Sequence, residues 1–400
     1  MITKFGCKNI KAIKDYEEIE IRPITIIMGE NSSGKSSILQ ALSLLSVNKI
    51  FGNNIQKIKY DNPFSQFGDN NSFKNKGENI EFYFEFTQEN TKIFLKYIDD
   101  NTSKEYGVLQ EMIIKNFNLE YSFKLNDNGS YDIKIDKVIN SNYKILEKYQ
   151  MTASSKFNSI MFITDRNMEE HFNISELIFK PLDLLRENFT AIRHIGTIQN
   201  KKETYDYSLD YIGYFGEKYK DRVLSLSNTR FIKNAIREIF DYELVVDKNK
   251  QELFLKQDNK KLQLHMFGSS ISSTIPILVQ FAKNREKDIK DKYRLTIVEE
   301  PELNLHPKSQ AKFVEAIFTK NRPKKHYTIL ETHSDHILNK IRFLISKKII
   351  KSQDVVVYYK EKNTKFKKIE INKCGEFVTN FPKGFYDATL EDIYNLGKDC

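Results

Sequence analysis

The stretch that decides the fold is ITIIMGENSSGKSSILQALSLL, residues 24–45. Its apolar start, ITIIM, predicts a buried strand, and SSILQALSLL carries apolar residues at helical spacing. Between them lies a turn of small residues that begins at Gly29 and ends in Gly34, Lys35 and Ser36. The predicted order is therefore strand, glycine-bounded loop and helix.

Residues 29–36, GENSSGKS, fit the phosphate-loop pattern G-x-x-x-x-G-K-[ST] at every position. Backbone N–H groups in such a loop turn toward phosphates, and the following helix N-terminus adds a positive field. Lys35 would reach the β- and γ-phosphates of ATP, and Ser36 would hold Mg²⁺. A chance glycine-rich turn is the alternative, which the flanking strand and helix disfavour. The predicted nucleotide-binding residues are Gly29, Asn31, Ser32, Ser33, Gly34, Lys35, Ser36 and Ser37.

A second motif, LTIVEEPELNLHP at residues 295–307, supplies acidic groups. Its apolar residues predict a central strand, and Glu299 and Glu300 stand at the carboxyl end, where nucleotide sites of open α/β sheets lie. Phosphoryl transfer needs a Mg²⁺ ligand and a group that orients or deprotonates water. We assign Glu299 to Mg²⁺ and Glu300 to the attacking water. The alternative is that two adjacent glutamates simply end a surface strand.

The composition is that of a globular chain, 40% hydrophobic and 29% charged. Cys7, Cys374 and Cys400 lie too far apart for a disulfide framework or a zinc pattern, which favours a reducing cytoplasm. No apolar run reaches the roughly 20 residues of a membrane helix, so we expect a cytoplasmic protein without a membrane partner. The formal charge of +9 leaves nucleic acid as an alternative partner, although Lys and Asn are abundant throughout the sequence.

The pattern changes several times along the chain. Period-two runs such as NIEFYFEF and NLEYSFKL predict antiparallel strands in the middle region. Helical patterns and a meander follow, and then the strands YRLTIVEE, HYTILETH and DVVVYYKE alternate with helices, which indicates a return to an α/β sheet. We divide the chain into an N-terminal lobe with the phosphate loop (1–60), a β and helical insertion (61–260), a lobe with the acidic strand (261–350) and a C-terminal tail module (351–400).

The order of MGENSSGKSS, a long insertion, EEPELNLHP and ILETHSDHIL resembles ABC-type ATPases of the group shared by chromosome-maintenance (SMC), RecF-like and OLD (overcoming-lysogenization-defect) proteins. In that group the acidic pair often reads Glu-Glu-Pro-Glu before a Leu-His-Pro turn, as at residues 299–302 and 305–307. Glu299 replaces the Asp of the broader class. The resemblance implies an α/β fold, an ABC-type P-loop ATPase head with an antiparallel β subdomain and a helical insertion.

Further site residues follow from this resemblance. His333 would be the switch histidine that contacts the γ-phosphate, and residues 304–307 would touch a partner subunit. Gln66, in NPFSQFGD, would sense Mg²⁺ and the attacking water. The four histidines His306, His326, His333 and His336 suggest a metal site as an alternative, but their spacing matches no closed zinc pattern. The other three are therefore interpreted as ordinary polar residues.

The segment FGSSISSTIPILVQF, residues 267–281, stands where cassette ATPases carry a signature that binds the γ-phosphate of the opposite subunit. Small residues open a predicted helix there, so their N–H and O–H groups would face an anion. The usual second glycine is absent, and a serine-rich helix start without a ligand is the alternative. The signature residues assigned to nucleotide binding are Gly268, Ser270, Ser272 and Ser273.

Two shorter segments also resemble predicted bacterial ATPases of this group. INKCGEFVTNFPKGFYDATLEDI, residues 371–393, resembles their C-terminal tail module. IRHIGTIQN, residues 192–200, resembles their Ile-Gly-Pro-x-Arg segment, but Thr197 and Gln199 replace the Pro and the Arg.

The sequence also disfavours some functions. Residues 38–267 contain no sustained heptads, so long coiled-coil arms are not expected. Only 67 of the 400 residues follow His333, and no Asp-x-Asp is found there, so we expect no intrinsic nuclease. We expect an ATPase that dimerises through an ATP sandwich, or forms a higher oligomer, and controls a separate effector protein in bacterial anti-phage defence. The alternative is a DNA-repair or DNA-clamping ATPase of RecF/SMC-like type, and a transporter subunit is a distant third.

Overall fold

The computed structural model describes residues 1–50, 55–60, 79–100, 103–142, 144, 151–153, 160–162, 168–197, 211–258, 260–319 and 322–380. Its backbone forms two units. The first unit contains Met1–Ile21 and Gly34–Ile192, and the second contains Arg22–Ser33 and Arg193–Cys400. The chain thus passes from the second unit to the first inside the phosphate loop. The four segments named from the sequence stay a prediction.

Strands dominate the first half of the described residues, and helices are more frequent in the second half. The strands are β1 (Ile2–Lys8), β2 (Glu17–Glu20), β3 (Ile24–Gly29), β4 (Lys57–Lys59), β5 (Ile80–Phe86), β6 (Lys92–Asp100), β7 (Ser103–Lys115), β8 (Leu119–Leu125), β9 (Tyr131–Val138), β10 (Met151–Ala153), β11 (Ile160–Phe162), β12 (Ile192–Ile195), β13 (Glu243–Asp247), β14 (Glu252–Gln257), β15 (Lys260–Gln263), β16 (Arg294–Glu299), β17 (His326–Glu331), β18 (Val355–Lys360) and β19 (Lys367–Ile369). The helices are α1 (Lys35–Ile50), α2 (Met168–Thr190), α3 (Tyr219–Leu224), α4 (Arg230–Phe240), α5 (Ser269–Lys283), α6 (Pro307–Phe318) and α7 (Asp335–Ser346).

The first unit is built on a large antiparallel sheet. Its strands follow the order β11-β10-β9-β8-β7-β6-β5-β1-β2, and β4 pairs with β7. Alternate residues of β5 are buried, including Phe82, Phe84 and Phe86, because successive side chains of a strand point to opposite faces. The antiparallel strands predicted from period-two runs are therefore confirmed. Helix α2 joins this core through Phe189, whose ring packs edge-on against Phe84.

The second unit is built on a sheet with the order β12-β16-β17-β3-β18-β19. The pairs β16–β17, β17–β3 and β3–β18 are parallel. Every residue of β3 and β18 is buried, as expected for parallel strands covered on both faces. Strands β13, β14 and β15 form a separate antiparallel sheet. In the part of the chain that the structure describes, no helix is long and apolar enough to cross a bilayer.

The buried histidine at the start of β17 predicts a pH dependence of stability. His326 is 5% exposed, its Nε2 lies 3.4 Å from the Ile289 carbonyl oxygen, and its Nδ1 has no hydrogen-bond partner among the described atoms. Burial, together with the charges of Arg285 and Arg294, lowers the pKa of His326 to about 4. A histidine with a lowered folded pKa contributes stability above its unfolded pKa near 6.5 and loses it as the pH falls through the folded pKa.

We therefore expect the free energy of unfolding to fall by up to about 3 kcal/mol between pH 7 and pH 4 because of this one group. His326→Gln keeps a donor and cannot be charged, so its urea-unfolding free energy should lose that part of the pH dependence. The exposed His336 is the matched control, since His336→Gln should keep the wild-type slope. An unchanged slope in His326→Gln would contradict the prediction.

Candidate functional site

The phosphate loop leaves β3 at Gly29 and is braced by β18. Gly29 has φ +142°, and a Cβ there would overlap the Lys360 carbonyl group. The Glu30 N–H donates to that carbonyl at 3.0 Å, and the Glu30 carboxylate accepts from the Lys362 N–H at 2.8 Å. Only glycine combines this φ with this approach. The end of β18, which the sequence analysis did not connect to the loop, thus fixes where the loop starts.

This bracing predicts a large loss of stability in Gly29→Ala. The added Cβ strains a left-handed backbone and displaces the Lys360 carbonyl, so we expect a loss of at least about 2 kcal/mol. Gly268→Ser is the control, because Gly268 has ordinary φ, no atom lies near its Cβ position, and Ser is a favoured N-cap. Urea unfolding should show Gly268→Ser within about 0.5 kcal/mol of the wild type. Equal losses in the two variants would contradict the bracing.

The loop offers groups that suit an anion. The Ser33 hydroxyl is buried and has no hydrogen-bond partner among the described atoms, although such a group is costly to leave unpaired. Asn31 and Ser32 are exposed. In the first unit, Gly34 has φ +104°, and α1 begins at Lys35, as predicted. The unpaired Ser33 hydroxyl fits a loop that binds an anion.

Lys35 differs from an ordinary lysine at the end of a loop. Lysines are mostly exposed, but Lys35 is 4% exposed. Ser36 is half-buried and Ser37 is buried. Lys35, Ser36 and Ser37 belong to the first turn of α1, so a helix and not an open loop carries them.

The two predicted acids occupy the carboxyl end of β16. Glu299 is the last residue of the strand and is 8% exposed. Its Oε1 lies 2.9 Å from His194 Nε2, and the Tyr214 hydroxyl lies 3.4 Å from both of its oxygens. Glu300 accepts from the Thr197 hydroxyl at 3.3 Å. Glu299 thus has a partner in β12, and Glu300 has a partner just after the end of β12.

The backbone conformation of Glu300 explains why two adjacent glutamates both contact residues 194–197. Successive strand residues point to opposite faces, which would separate the two carboxylates. Glu300 instead has φ +45°, and its N–H donates to the Glu331 carbonyl at 2.8 Å. A glutamate in this region is strained, and such strain is found at functional sites. The chain therefore turns at Glu300, and both carboxylates contact residues of 194–197.

A third glutamate of the motif, Glu302, binds the loop that contains Thr332 and His333. Glu302 accepts from the Thr332 hydroxyl at 2.7 Å and from the His333 N–H at 2.6 Å. Burial raises the pKa of the Glu302 carboxyl above its ordinary value. The Ser334 hydroxyl caps α7 by accepting from the Ile337 N–H at 3.1 Å. The backbone of the loop is thus held by the acidic turn, while the His333 side chain is exposed.

The other histidines of this region do not gather around one point. His306 caps α6 by accepting from the Lys308 N–H at 3.2 Å, His326 is buried, and His336 is exposed beside Asp335. In the described ranges no group of three or more His, Cys, Asp or Glu side chains is arranged to hold a metal ion by itself.

The segment predicted as a signature opens a helix, as expected. Helix α5 begins at Ser269, and its N-cap Gly268 makes no side-chain hydrogen bond. The Ser272 hydroxyl donates to the Gly268 carbonyl at 3.2 Å, and the Ser273 hydroxyl donates to the Leu303 carbonyl at 3.3 Å. Gly268 and Ser272 are exposed and Ser270 is half-buried. Nucleotide binding by these four residues stays a prediction.

Some predicted residues lie outside the described part of the chain, and some contacts were missed. Gln66, Gln199 and the tail after residue 380 lie outside the described residues. Sequence reasoning missed His194 and Tyr214 as neighbours of Glu299. The only signal was the resemblance of residues 192–200 to a family segment, which does not specify the contact.

Comparisons with known proteins agree with the motifs. A family model described as "AAA domain, putative AbiEii toxin, Type IV TA system" matches residues 24–339. The DNA replication and repair protein RecF of Oenococcus oeni is 22% identical in an alignment 269 residues long, which covers 58% of this chain and 68% of that protein. Endonuclease GajA of Bacillus cereus is 24% identical in an alignment 389 residues long, which covers 83% of this chain and 55% of GajA. The chain thus spans about half the length of GajA.

Two solved structures were also found to be similar. The SMC head domain from Thermotoga maritima has 12% identity and a TM-score of 0.38, with 93% of this chain and 99% of that chain covered. The Smc head domain with an extended coiled coil, bound to the C-terminal domain of ScpA and derived from Pyrococcus furiosus, has 12% identity and a TM-score of 0.40, with 92% and 96% covered.

Proposed function

This chain belongs to the family of AAA-domain ATPases whose model spans residues 24–339, and from that premise we propose that it is an ATP-hydrolysing switch that dimerises on ATP and controls a separate effector. The observation that carries the proposal is the arrangement at the carboxyl edge of the parallel sheet. There Glu299 of β16 is in register with Glu331 of β17. The Thr332 N–H donates to the Ile27 carbonyl of β3 at 3.0 Å, and the phosphate loop starts at Gly29, two residues after Ile27. The two acids, the loop that contains His333 and the start of the phosphate loop thus lie at the same edge of the sheet.

The proposed roles follow from the chemistry of phosphoryl transfer. Glu300 would orient the attacking water and take its proton, and His333 would contact the γ-phosphate. Lys35 would offset phosphate charge that grows in the transition state. Ser36 and Glu299 would hold Mg²⁺, with Gln66 assigned to the same ion from the sequence; when bound, this ion would neutralise phosphate charge.

Dimerisation is proposed because the predicted signature is a helix end without a side-chain cap. The Ile271 and Ser272 N–H groups donate to the Gly268 carbonyl at 3.2 and 3.3 Å, and the N–H groups before them have no acceptor within a helix, whose N-terminal end is positive. Residues 268–273 would cover the γ-phosphate held by a second chain, with Asn304 and its turn beside them. Each site would be incomplete alone, so ATP binding and association would strengthen each other by the same factor.

We also propose that the separate effector and the switch act in bacterial anti-phage defence. The effector and this role are supported by the family description, which names a toxin of a type IV toxin–antitoxin system, and by the similarity to GajA. GajA is named an endonuclease, but the chain spans only 55% of it.

The test is sedimentation velocity of the purified chain with Mg²⁺, with and without ATP, together with phosphate release. We expect ATP turnover and an ATP-dependent shift from monomer to dimer that decays as ATP is consumed. Turnover without any change in mass distribution would overturn the dimer switch. A protein from the same operon that co-purifies with the tagged chain would identify the effector.

A second candidate function is a DNA clamp. The similarity to RecF, named a DNA replication and repair protein, and the formal charge of +9 favour it. DNA binding that weakens steeply with salt would support the clamp, because phosphate contacts release counterions. DNA affinity should then rise in the ATP-bound state, whereas the switch proposal expects ATP-dependent association without DNA.

A further inference from the structure

One short segment contacts both predicted acids. His194 lies in β12 and Thr197 three residues later, and they bind Glu299 and Glu300 respectively. Within the described residues, Glu299 has two side-chain partners, His194 at 2.9 Å and the longer contacts of Tyr214 at 3.4 Å. His194 is therefore the main group that sets the orientation of this carboxylate.

The imidazole of His194 is held in place from several directions. It is 3% exposed, and its ring meets the Tyr214 ring edge-on with centroids 4.9 Å apart. The Tyr211 hydroxyl donates to the His194 backbone carbonyl. Arg222 Nε donates in turn to the Tyr211 carbonyl at 3.0 Å. A close-packed ring with a fixed backbone has little freedom to move away from Glu299.

The contact joins His194 Nε2 to Glu299 Oε1. In the tautomer that carries a proton on Nε2, His194 donates and the carboxylate accepts. This bond uses Oε1, and among the described side chains Oε2 has only the long Tyr214 contact. Outer residues that orient metal-binding carboxylates in this way change metal affinity by roughly 10- to 100-fold when they are removed.

We propose that His194 is a positioning residue that holds Glu299 for Mg²⁺, and that Thr197 does the same for Glu300. The proposal rests on the proposed function, in which Glu299 is the Mg²⁺-side acid. Residues 194–197 would then set the separation of two carboxylates whose tasks differ. A purely structural role of His194, as one half of a buried polar pair, is what the test must exclude.

The test compares two amide variants that differ in reach. In His194→Gln the side-chain N–H₂ lies close to the position of Nε2, whereas in His194→Asn it is one methylene shorter. Binding of Mn²⁺, measured by electron paramagnetic resonance with a non-hydrolysable ATP analogue, should weaken at least tenfold in His194→Asn and by less than threefold in His194→Gln. Affinity for the analogue without metal should stay within about twofold in both.

Thr197→Val gives the second arm, because valine keeps the shape and removes the hydroxyl. Since a hydrogen bond to a charged group contributes at least about 1.5 kcal/mol, kcat should fall about tenfold while Mn²⁺ affinity stays unchanged. Circular dichroism and thermal unfolding show whether each variant folds. A variant that does not fold is replaced by Tyr214→Phe. This variant should weaken Mn²⁺ binding by less than threefold.

The outcomes distinguish failure of the positioning role of His194 from failure of the proposed function. Wild-type Mn²⁺ affinity in His194→Asn, or equal losses in His194→Asn and His194→Gln, would overturn the positioning role. A larger loss in Tyr214→Phe than in His194→Asn would also overturn it, because Tyr214 would then be the main support. If the wild-type protein binds no Mn²⁺ with the analogue, the proposed function itself fails.

Discussion

Glu300→Gln is expected to bind ATP, to lose ATP turnover by a factor on the order of 10² to 10⁴, and to accumulate as an ATP-bound dimer. Glutamine keeps the size of the side chain and can still accept from the Thr197 hydroxyl, which lies 3.3 Å from Glu300. It cannot take a proton from water, and general-base catalysis contributes a factor of this order. Since hydrolysis would open the dimer, blocking hydrolysis should trap the closed state.

Sedimentation velocity and single-turnover phosphate release measure the two effects separately. Glu315→Gln is the matched control, because Glu315 lies on α6 with its side chain 43% exposed and pairs with Lys340. It should leave both turnover and mass distribution unchanged, since glutamine keeps the size of the side chain and can still accept from Lys340. If Glu300→Gln hydrolyses ATP at the wild-type rate, Glu300 is not the base.

Mixing experiments test the sharing of residues between chains. Ser272 is exposed in the first turn of α5, so Ser272→Trp should obstruct closure without changing the fold. Alone it should bind ATP and stay monomeric. Mixed with Glu300→Gln chains, it should form dimers with one closed site, because one signature in each pair is intact. If Ser272→Trp dimerises like the wild type, the assignment of the signature is wrong.

Local sequence patterns were sufficient to predict the elements that carry the motifs. The apolar run before Gly29 predicted β3, and the helical spacing after Lys35 predicted α1. The apolar residues before Glu299 likewise predicted β16. These features are local, because strand and helix periods are read over a few residues.

Partners distant in sequence could not be predicted in this way. His194 and Glu299 are separated by 105 residues, and nothing in either segment names the other. Period-two alternation predicted that β5 and β8 are strands, but it did not predict that β5 pairs with β1 and β8 with β9. The left-handed backbone at Glu300 was also unpredictable, since a glutamate has no preference for it and the surrounding structure imposes it.

Lys35→Met is expected to lower ATP affinity by at least about 100-fold and to abolish turnover. The ammonium group would make charge-assisted hydrogen bonds to phosphate, and each such bond contributes about 1.5–3 kcal/mol. Methionine keeps an unbranched stem, which matters because Lys35 is only 4% exposed and truncation to alanine would leave a cavity. The variant therefore separates loss of charge from loss of packing.

Thermal unfolding with and without ATP and Mg²⁺ checks this prediction. A ligand that binds only the folded state raises the unfolding temperature, so the ATP-dependent rise should be present in the wild type and absent in Lys35→Met. Lys124→Met is the control, because its side chain is 69% exposed in the first unit, and it should keep the full rise. Wild-type turnover in Lys35→Met would contradict the assignment of residues 29–36 as the phosphate loop. A variant that unfolds early without ATP would instead show that Lys35 also stabilises the unliganded protein.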